Sequence, residues 1–436
     1  MSKILIKNGY LIDPKTNFEG KKEIAVCNGK IIAIKDFISS DEAKIIFSAA
    51  DINEIEVIDA SNCVIAPGFV DVHVHFRDPG FTEKEDIFTG AKAAAKGGYT
   101  SVVMMANTKP TIDTPETMRE VLEKGAKTDI NIYACGNVTM GMKGEELTDM
   151  DALVEAGAVG FTDDGIPLVK EEIVVAAMEK TANLDMPISF HEEDPSVIEN
   201  NGINRGKASE YFGIGGSPRD AEINMIARDV QLAKKTGAVI DIQHISTKEG
   251  VELVRKAKEA GVNVHAEATP HHFSLTEEAA IKHGTLAKMN PPLREESDRL
   301  AIIKGLADGT IDMIATDHAP HTEEEKAREI TKAPSGIIGL ETALPLAIMN
   351  LVDTKDLTLM QLFKAMSTNP ANLYKIDAGY IAEGGPADMV LIDTEEKYIY
   401  TKDSIASKAC NSPFIGCELK GKVVATICKG KVVYRA

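Results

Sequence analysis

Apolar and polar positions follow two different periodicities along the middle of the chain. Between about residues 67 and 380, short apolar runs typical of buried strands are separated by amphipathic stretches with helical spacing. The predicted strands are Val70–His75, Tyr99–Met105, Ile130–Cys135, Ala158–Thr162, Pro187–His191, Ala238–Ile245, Val262–Ala268 and Ile311–Thr316. The predicted helices include Ile87–Lys96, Pro115–Lys124, Glu171–Asn183, Asp220–Lys235, Lys248–Ala260 and Arg299–Ala307. Eight strands alternating with helices predict an α/β fold, a closed parallel (β/α)8 TIM barrel.

The two ends of the chain show a β pattern and carry no catalytic grouping. Asn28-Gly29 separates two apolar runs, which predicts a hairpin because both residues tolerate the positive φ of a tight turn. Neither end is long enough to form a sheet core alone. We therefore expect the ends to pair into one small β-sandwich domain, with two independent hairpins as the alternative. The predicted domains are residues 1–64 and 383–436 for the β domain and residues 65–382 for the barrel.

Charge and cysteine content restrict the class of function. The formal net charge of −19 argues against a nucleic-acid or anionic-membrane surface, so an anionic substrate would need local positive charge or a metal ion. The six cysteines are scattered, with no Cys-x-x-Cys pair, as expected for reduced thiols. No segment has the apolar length of a membrane span or of a secretory leader. We expect a cytoplasmic enzyme with a small-molecule substrate.

A His-x-His pair lies at the end of the first predicted strand. Strand alternation places His73 and His75 on the same face, and Pro79-Gly80 ends the strand after them. Two imidazoles are therefore delivered to the same point at the C-terminal end of a barrel strand. Taken alone, such a pair more often belongs to the polar face of a half-exposed strand, and the rest of the sequence has to overturn that interpretation.

Side chains of the metal-ligand type also end four other predicted strands. Asp164 follows the fourth strand, His191 ends the fifth, His244 lies in the sixth and Asp317 follows the eighth. The C-terminal ends of barrel strands share one rim, so we expect these four side chains to meet the His-x-His pair there. Six ligands exceed what one tetrahedral zinc ion needs, which favours two ions over one.

A carboxylate suits the position shared by two ions, because each of its oxygens can bind one of them, and Asp164 is the candidate. The predicted ligands of the first ion are His73, His75, Asp164 and Asp317. The predicted ligands of the second ion are Asp164, His191 and His244. The neighbouring Asp163 is interpreted as a turn or capping residue, because Asx side chains often close turns.

The segments that carry these residues resemble those of the cyclic amidohydrolases of the amidohydrolase superfamily, and within them the bacterial type I dihydroorotases. The likeness runs through almost the whole chain. The segments that carry it are Asp71–Gly80, Asn107–Pro110, Phe161–Gly165, Gln243–Ser246, Lys288–Arg294, Ala315–His321 and Asn411–Phe414. It implies a zinc enzyme that interconverts dihydroorotate and N-carbamoyl-aspartate in pyrimidine synthesis, with the six metal ligands already named.

The resemblance also implies a set of substrate-binding residues. Arg77, Asn107 and His321 would receive the substrate carboxylate, Asn290 would contact the ring, and His75 would lie beside it. A guanidinium suits a carboxylate because the two form parallel hydrogen bonds. Judged alone, Arg77 could instead form a surface ion pair, and the asparagines could be turn residues.

Three departures from the family pattern leave the metal ligands intact. Ala106 replaces a usual proline, Phe76 begins a Phe-Arg-Asp sequence in place of Leu-Arg-Glu, and Ser335 stands where phenylalanine is frequent. Ser335 and Gly336 are carried over as substrate contacts from the family position alone.

The expected chemistry is hydrolysis or closure of a ring amide. Metal binding can lower the pKa of water to about 7, which provides a nucleophile at neutral pH. Asp317 is expected to take a proton as general base and then pass it to the departing nitrogen as general acid. His318 is either a hydrogen-bonding partner beside the ligands or a loop residue. His271 and His272 could line the mouth, and His265 and His283 are expected to be structural.

Two other readings remain open at this point. Dihydropyrimidinases, hydantoinases and allantoinases resemble the chain in fold, but typically share a carboxylated lysine between their metals, where this chain offers Asp164. A non-catalytic homologue could instead serve as an assembly partner, for instance of aspartate transcarbamoylase. Such relatives tend to lack metal histidines, and this chain retains them. A homo-oligomer is expected for the dihydroorotase-like enzyme, with possible association with aspartate transcarbamoylase.

Overall fold

The computed structural model describes residues 2–436. Its strands are β1 (Lys3–Asp13), β2 (Phe18–Cys27), β3 (Lys30–Lys35), β4 (Glu56–Asp59), β5 (Val64–Pro67), β6 (Phe69–Val74), β7 (Tyr99–Met104), β8 (Asn131–Ala134), β9 (Ile188–Phe190), β10 (Ile240–Ile242), β11 (Val264–Ala268), β12 (Met313–Ile314), β13 (Met389–Ile399), β14 (Glu418–Cys428) and β15 (Lys431–Arg435). Its helices are α1 (Ser40–Phe47), α2 (Ile87–Lys96), α3 (Pro115–Gly125), α4 (Met150–Glu155), α5 (Glu171–Leu184), α6 (Lys207–Phe212), α7 (Asp220–Thr236), α8 (Lys248–Glu259), α9 (Pro270–Ser274), α10 (Glu277–His283), α11 (Glu296–Asp308), α12 (Glu323–Lys326), α13 (Ala343–Ala347), α14 (Leu359–Phe363) and α15 (Asn369–Leu373). Short 3-10 turns lie at Ile52–Glu54, Met140–Met142, Gly284–Ala287 and Lys402–Ser404, and π-helical turns at Ile348–Val352 and Lys364–Thr368.

Two parallel sheets make up a ring of strands in the middle of the chain. One sheet has the order β6-β7-β8 and the other the order β12-β11-β10-β9. Phe161 joins them, because it forms parallel bridges to both Gly136 and Ile188. The ring closes where Val74 forms a parallel bridge to His318, whose carbonyl accepts from the His75 amide at 2.9 Å. The chain therefore has the α/β barrel architecture, and its rim carries the candidate ligands.

Seven of the eight predicted barrel strands are strands in the structure, shortened at one or both ends. The fourth segment, 158–162, differs because only Phe161 is a bridge residue there. Gly160 passes so close to its neighbours that a Cβ would lie 2.9 Å from the Tyr374 ring and 3.3 Å from Pro187. Immediately afterwards the carboxylate of Asp163 binds the amides of the 138–139 segment, which turns the backbone away from ladder pairing.

Helices cover the outside of the ring, and several of them begin at a side-chain cap. Asp86 accepts from the amide nitrogens of Phe88 and Thr89 to start α2, and Thr247 accepts from Gly250 N to start α8. Their apolar faces pack on the strands in one continuous buried core. Within residues 2–436, none of the helices has the length and apolarity needed to cross a bilayer.

The two ends of the chain form one eight-stranded sheet. Its order is β15-β14-β13-β5-β1-β2-β3, with β4 paired to β1. The joint between the ends is antiparallel pairing of β13 with β5, in which Met389 faces Pro67. The expected pairing of the termini is therefore present, whereas the expected sandwich of two sheets is a single connected sheet in the part of the chain described.

Candidate metal centre and active site

The His-x-His pair lies at the C-terminal end of β6, and both side chains are buried. The Nδ1 atom of His73 lies 2.9 Å from the Glu267 carboxylate on β11, and Nδ1 of His75 lies 3.0 Å from the Asn107 side-chain oxygen. Each contact occupies one ring nitrogen and turns the Nε2 atom toward the rim. This is the arrangement in which histidines serve as oriented metal ligands.

Asp164 lies at the centre of the cluster. Its Oδ1 atom is 3.5 Å from three ring nitrogens, which belong to His73, His191 and His244. Its Oδ2 atom is 3.4 Å from Nε2 of His75. One carboxylate therefore contacts histidines from both halves of the ring, as a shared ligand must.

Asp317 completes the side of the cluster formed by β6. Its Oδ1 atom lies 2.9 Å from Nε2 of His75 and 3.6 Å from Nε2 of His73. The Asp317 backbone has a φ of 47°, and His244 has a φ of 35°. Non-glycine residues adopt this left-handed region rarely, and such strain concentrates at functional sites.

His191 and His244 form the opposite side of the cluster. Nδ1 of His191 lies 2.9 Å from Nε2 of His244, and both atoms face Asp164. The second nitrogen of His191 lies 3.1 Å from Glu193 and 3.2 Å from the side-chain nitrogen of Asn290. The carboxylate and the amide thus fix the orientation of the His191 ring.

Opposite charges in the cluster shift one another's protonation. Burial favours neutral His191, but hydrogen bonding with Asp164 and Glu193 outweighs burial and raises the pKa of His191 to about 10. Burial likewise favours neutral Asp164, but the histidines around it hold the pKa of its carboxyl well below its usual range. The site therefore holds a buried carboxylate, Asp164, in its ionised form and favours the positively charged form of the neighbouring His191.

The residues fit a metal centre. Buried atoms at the middle of the cluster, including Nε2 of His73 and Oδ1 of Asp164, have no hydrogen-bond partner within the described chain. The ligand atoms of two trios lie within 4.8 Å of one another: His73, His75 and Asp317, and His73, Asp164 and His244. Imidazole nitrogens and carboxylate oxygens are the donors that zinc accepts. Of the six predicted ligands, only His191 lies outside both trios, and it still contacts Asp164.

A cavity of about 200 Å³ opens over the cluster. Every residue predicted to bind substrate lines it: His75, Arg77, Asn107, Asn290, His321, Ser335 and Gly336. A guanidinium nitrogen of Arg77 lies 3.3 Å from Nε2 of His321, and its Nε donates to the carbonyl of Pro320 at 3.3 Å. The predicted set is thus brought together around one space beside the metal-type ligands.

The remaining singled-out polar residues have structural contacts. Asp163 accepts from the amide of Val138 at 2.9 Å and from the Asn137 side chain at 3.1 Å, in keeping with a turn-closing residue. His318 accepts from the amide of Gly339 at 3.1 Å, so it supports the loop after Asp317.

The other histidines also make structural contacts. His272 lies 2.7 Å from Oγ1 of Thr269 and 3.0 Å from the carbonyl of Pro291, and neither it nor His271 lines the 200 Å³ cavity. His265 lies 3.4 Å from Asp312, away from the metal-type cluster.

The sequence reasoning missed Glu267. This carboxylate is fully buried in β11 and touches His73, although β11 is otherwise an apolar strand apart from His265. A charged residue in such a strand is the signal that could have identified it. Lys288, Lys326 and Asn411, which hold the loops around the cavity, were also not identified individually.

Known proteins are similar to the chain over almost its whole length. A family model described as "Dihydro-orotase-like" matches residues 62–250. Proteins named dihydroorotase from Clostridium acetobutylicum and Clostridioides difficile are each 53% identical to the chain, covering 99% of it and 99% and 100% of the relatives. One from Lactococcus lactis is 51% identical over 99% of both chains.

Solved structures share the fold at lower identity. L-Hydantoinase (dihydropyrimidinase) from Arthrobacter aurescens matches with a TM-score of 0.86 at 25% identity, covering 100% of this chain and 96% of that one. Dihydropyrimidinase from Brevibacillus agri matches with a TM-score of 0.84 at 23% identity over 99% and 95%. These neighbours support the α/β barrel architecture, and the full-length identity of about one half decides the family. The chain belongs to the dihydroorotase family of cyclic amide hydrolases.

Proposed function

We propose that this chain is a zinc-dependent dihydroorotase, which reversibly cyclises N-carbamoyl-L-aspartate to L-dihydroorotate in pyrimidine biosynthesis. The observation that carries the proposal is the shared cavity, which joins the metal-type cluster to Arg77, Asn107 and His321. Dihydroorotate has a ring amide to be hydrolysed and a carboxylate to be held. The cavity offers a group of residues suited to each.

The proposed zinc ligands keep the division given by the sequence. They are His73, His75, Asp164 and Asp317 for one ion, and Asp164, His191 and His244 for the other. Bound zinc would supply Lewis acidity, lowering the pKa of a coordinated water to about 7 and polarising a carbonyl oxygen. Asp164 suits the shared position because each of its oxygens faces different histidines.

Asp317 is the proposed proton carrier. Its carboxylate borders the cavity, and burial alone would favour its neutral form. The hydrogen bond to His75 and the charge of His73 instead lower the pKa of Asp317 well below its usual range. Asp317 is therefore ionised and can accept a proton from the attacking water, then donate it to the ring nitrogen as the C–N bond breaks.

Substrate orientation falls to the other residues of the cavity. Arg77 would bind the carboxylate through two hydrogen bonds, with His321 and Asn107 beside it and Asn290 near the ring. The hydroxyl of Ser335 is buried and has no partner among the described residues, so it is free to bond to substrate. The resemblance assigned Ser335 and Gly336 only by position, and the cavity lining supports both.

The rival activity is that of hydantoinases, dihydropyrimidinases and allantoinases. A substrate without a carboxylate does not need a guanidinium in the site, and the candidate for the shared position is Asp164 in place of a carboxylated lysine. The test is to assay purified protein with dihydroorotate, dihydrouracil, hydantoin and allantoin, before and after chelation and zinc return. We expect turnover of dihydroorotate alone, lost on chelation and restored by zinc. Preferential turnover of a substrate without a carboxylate would contradict the proposal.

The assembly, location and domain division remain proposals of the same kind. We propose a cytoplasmic homo-oligomer that can associate with aspartate transcarbamoylase, and domains at residues 1–64 with 383–436 and at 65–382. Mass measurement of the pure protein, alone and mixed with that partner, tests the assembly. A monomer that ignores the partner would contradict it.

A further inference from the structure

Two buried lysines hold the backbone at one wall of the substrate cavity. Nζ of Lys326 donates to the carbonyl oxygens of Pro334 at 2.9 Å and Gly336 at 3.0 Å. Nζ of Lys288 donates to the carbonyl of Ala333 at 2.8 Å. Three carbonyls of this short segment are therefore tied to ammonium groups. These hydrogen bonds fix the backbone that presents Ser335 and Gly336 to the cavity.

The same wall is held by two further side chains. Nε2 of His321 donates to the carbonyl of Ser335 at 2.8 Å, and the Asn411 amide donates to Gly336 at 3.1 Å. A Cβ on Gly202 would lie 2.4 Å from the Ser335 hydroxyl, so only glycine lets the neighbouring loop close on this wall. Four consecutive carbonyls thus each accept a side-chain hydrogen bond, which is far more than an ordinary surface loop receives.

Neither lysine forms a direct ion pair with a carboxylate among the described residues. Lys326 is 4% exposed and Lys288 is 3% exposed. Within residues 2–436, neither ammonium lies within 4.0 Å of a carboxylate oxygen. Burying a charge without an ion-pair partner is costly, and burial together with the nearby Lys288 lowers the pKa of Lys326 to about 7, against the opposing effect of the Glu325 charge. A cost of this kind persists where a bound anion offsets it.

Resting on the proposed function, we propose that Lys326 and Lys288 are positioning residues for the anionic substrate. They hold the 333–336 backbone against the cavity and, in their protonated forms, place positive charge without an ion-pair partner behind it, next to the site of Arg77 and His321. In a chain with a net charge of −19, this local excess of positive charge attracts a carboxylate that the rest of the surface repels. Neither lysine takes part in bond making or breaking.

The test measures KM and kcat for dihydroorotate and for N-carbamoyl-aspartate in Lys326→Met and Lys288→Met. We expect KM to rise about tenfold or more, with kcat within about threefold of wild type, because substrate binding is lost and chemistry is not. The rise should be larger for N-carbamoyl-aspartate, which carries two carboxylates. Lys332→Met is the matched control, since Lys332 lies in the same stretch with its side chain 70% exposed, and its KM should not change.

A merely structural role would lower kcat and zinc content and leave the ratio of the two KM values unchanged, which would overturn the proposal. KM values within twofold of wild type in both variants would also overturn it. If the methionine variants fail to fold, Lys326→Gln replaces them, because glutamine keeps two N–H donors without the charge. An unchanged KM in Lys326→Gln would also overturn the proposal. Hydrogen exchange of the backbone amides of Ala333 and of residues 335–337 should accelerate in Lys326→Met. Wild type inactive on dihydroorotate would refute the proposed function instead, which separates the two failures.

Discussion

Nδ1 of His73 lies 2.9 Å from Oε2 of Glu267, and both side chains are fully buried. The contact joins β6 to β11 across the inside of the barrel. It leaves only Nε2 of the imidazole available at the rim, facing Asp164 and Asp317. Glu267 is therefore expected to set the basicity and the direction of a metal ligand without touching the metal itself.

Replacing Glu267 with glutamine should weaken metal binding. The variant keeps the volume but loses the negative charge that orients His73, and losses at such positions typically reach about tenfold to a hundredfold in metal affinity. Competition with a zinc chelator measures the affinity. Glu259→Gln, at an exposed position ending α8, is the control and should bind zinc as wild type does. Equal affinity in Glu267→Gln would show that the His73 contact does not tune the ligand.

Asp317→Asn should abolish turnover while the fold is retained. An amide keeps an oxygen near His75 but cannot accept the proton, so we expect kcat to fall by about a thousandfold or more. Circular dichroism and zinc content verify that the variant is folded and loaded. Activity within tenfold of wild type would remove Asp317 from its proposed role.

Arg77→Lys should raise KM although the charge is conserved. An ammonium cannot reproduce the two parallel hydrogen bonds of a guanidinium, so KM for dihydroorotate should rise about tenfold to a hundredfold. Steady-state kinetics measure the change. The matched control is Arg119→Lys on α3, whose side chain is 55% exposed, and which should leave KM unaltered. A KM within twofold of wild type in the Arg77 variant would argue against a bidentate contact.

The stability difference between wild type and Lys326→Met should depend on pH. The pKa of Lys326 is about 7 in the folded chain and near 10.4 when unfolded, so the unfolded chain binds more protons between these values. The free energy of unfolding of wild type, relative to that of the variant, should therefore rise from pH 7 to pH 10. Across this range the folded chain holds Lys326 in its neutral form, so folding no longer has to bury an ammonium charge. Lys288, His321 and Glu325 also face this position and are common to both proteins. Thermal unfolding across this range measures the difference, and a flat difference would contradict a lowered pKa.

Much of the barrel and the cluster could be predicted because both follow from periodicity. Strand alternation fixes the common face of His73 and His75, and the rule that parallel strands share a rim brings in His191, His244 and Asp317. These arguments need only the local order of residues. The substrate set was reached through family likeness, since an isolated arginine or asparagine has many ordinary uses.

The rest depended on contacts that local sequence does not encode. The fourth segment is paired through a single bridge residue, because Asp163 binds the 138–139 backbone and Gly160 packs beside Tyr374. The partners of Lys326 lie in a loop whose path is set by tertiary packing. Likewise, the sheet formed by the two termini is continuous because β13 pairs with β5, and such long-range pairing leaves no local pattern.

The barrel consists of a three-stranded and a four-stranded arc that meet at Phe161, only three residues before Asp164. The carboxylate at this seam contacts histidines carried by both arcs. A divalent ion bound there would cross-link the two arcs, which backbone hydrogen bonds join at this seam through the single bridge residue Phe161. Metal binding would then stabilise the whole barrel and not only its rim. The melting temperature should therefore rise with zinc concentration by mass action.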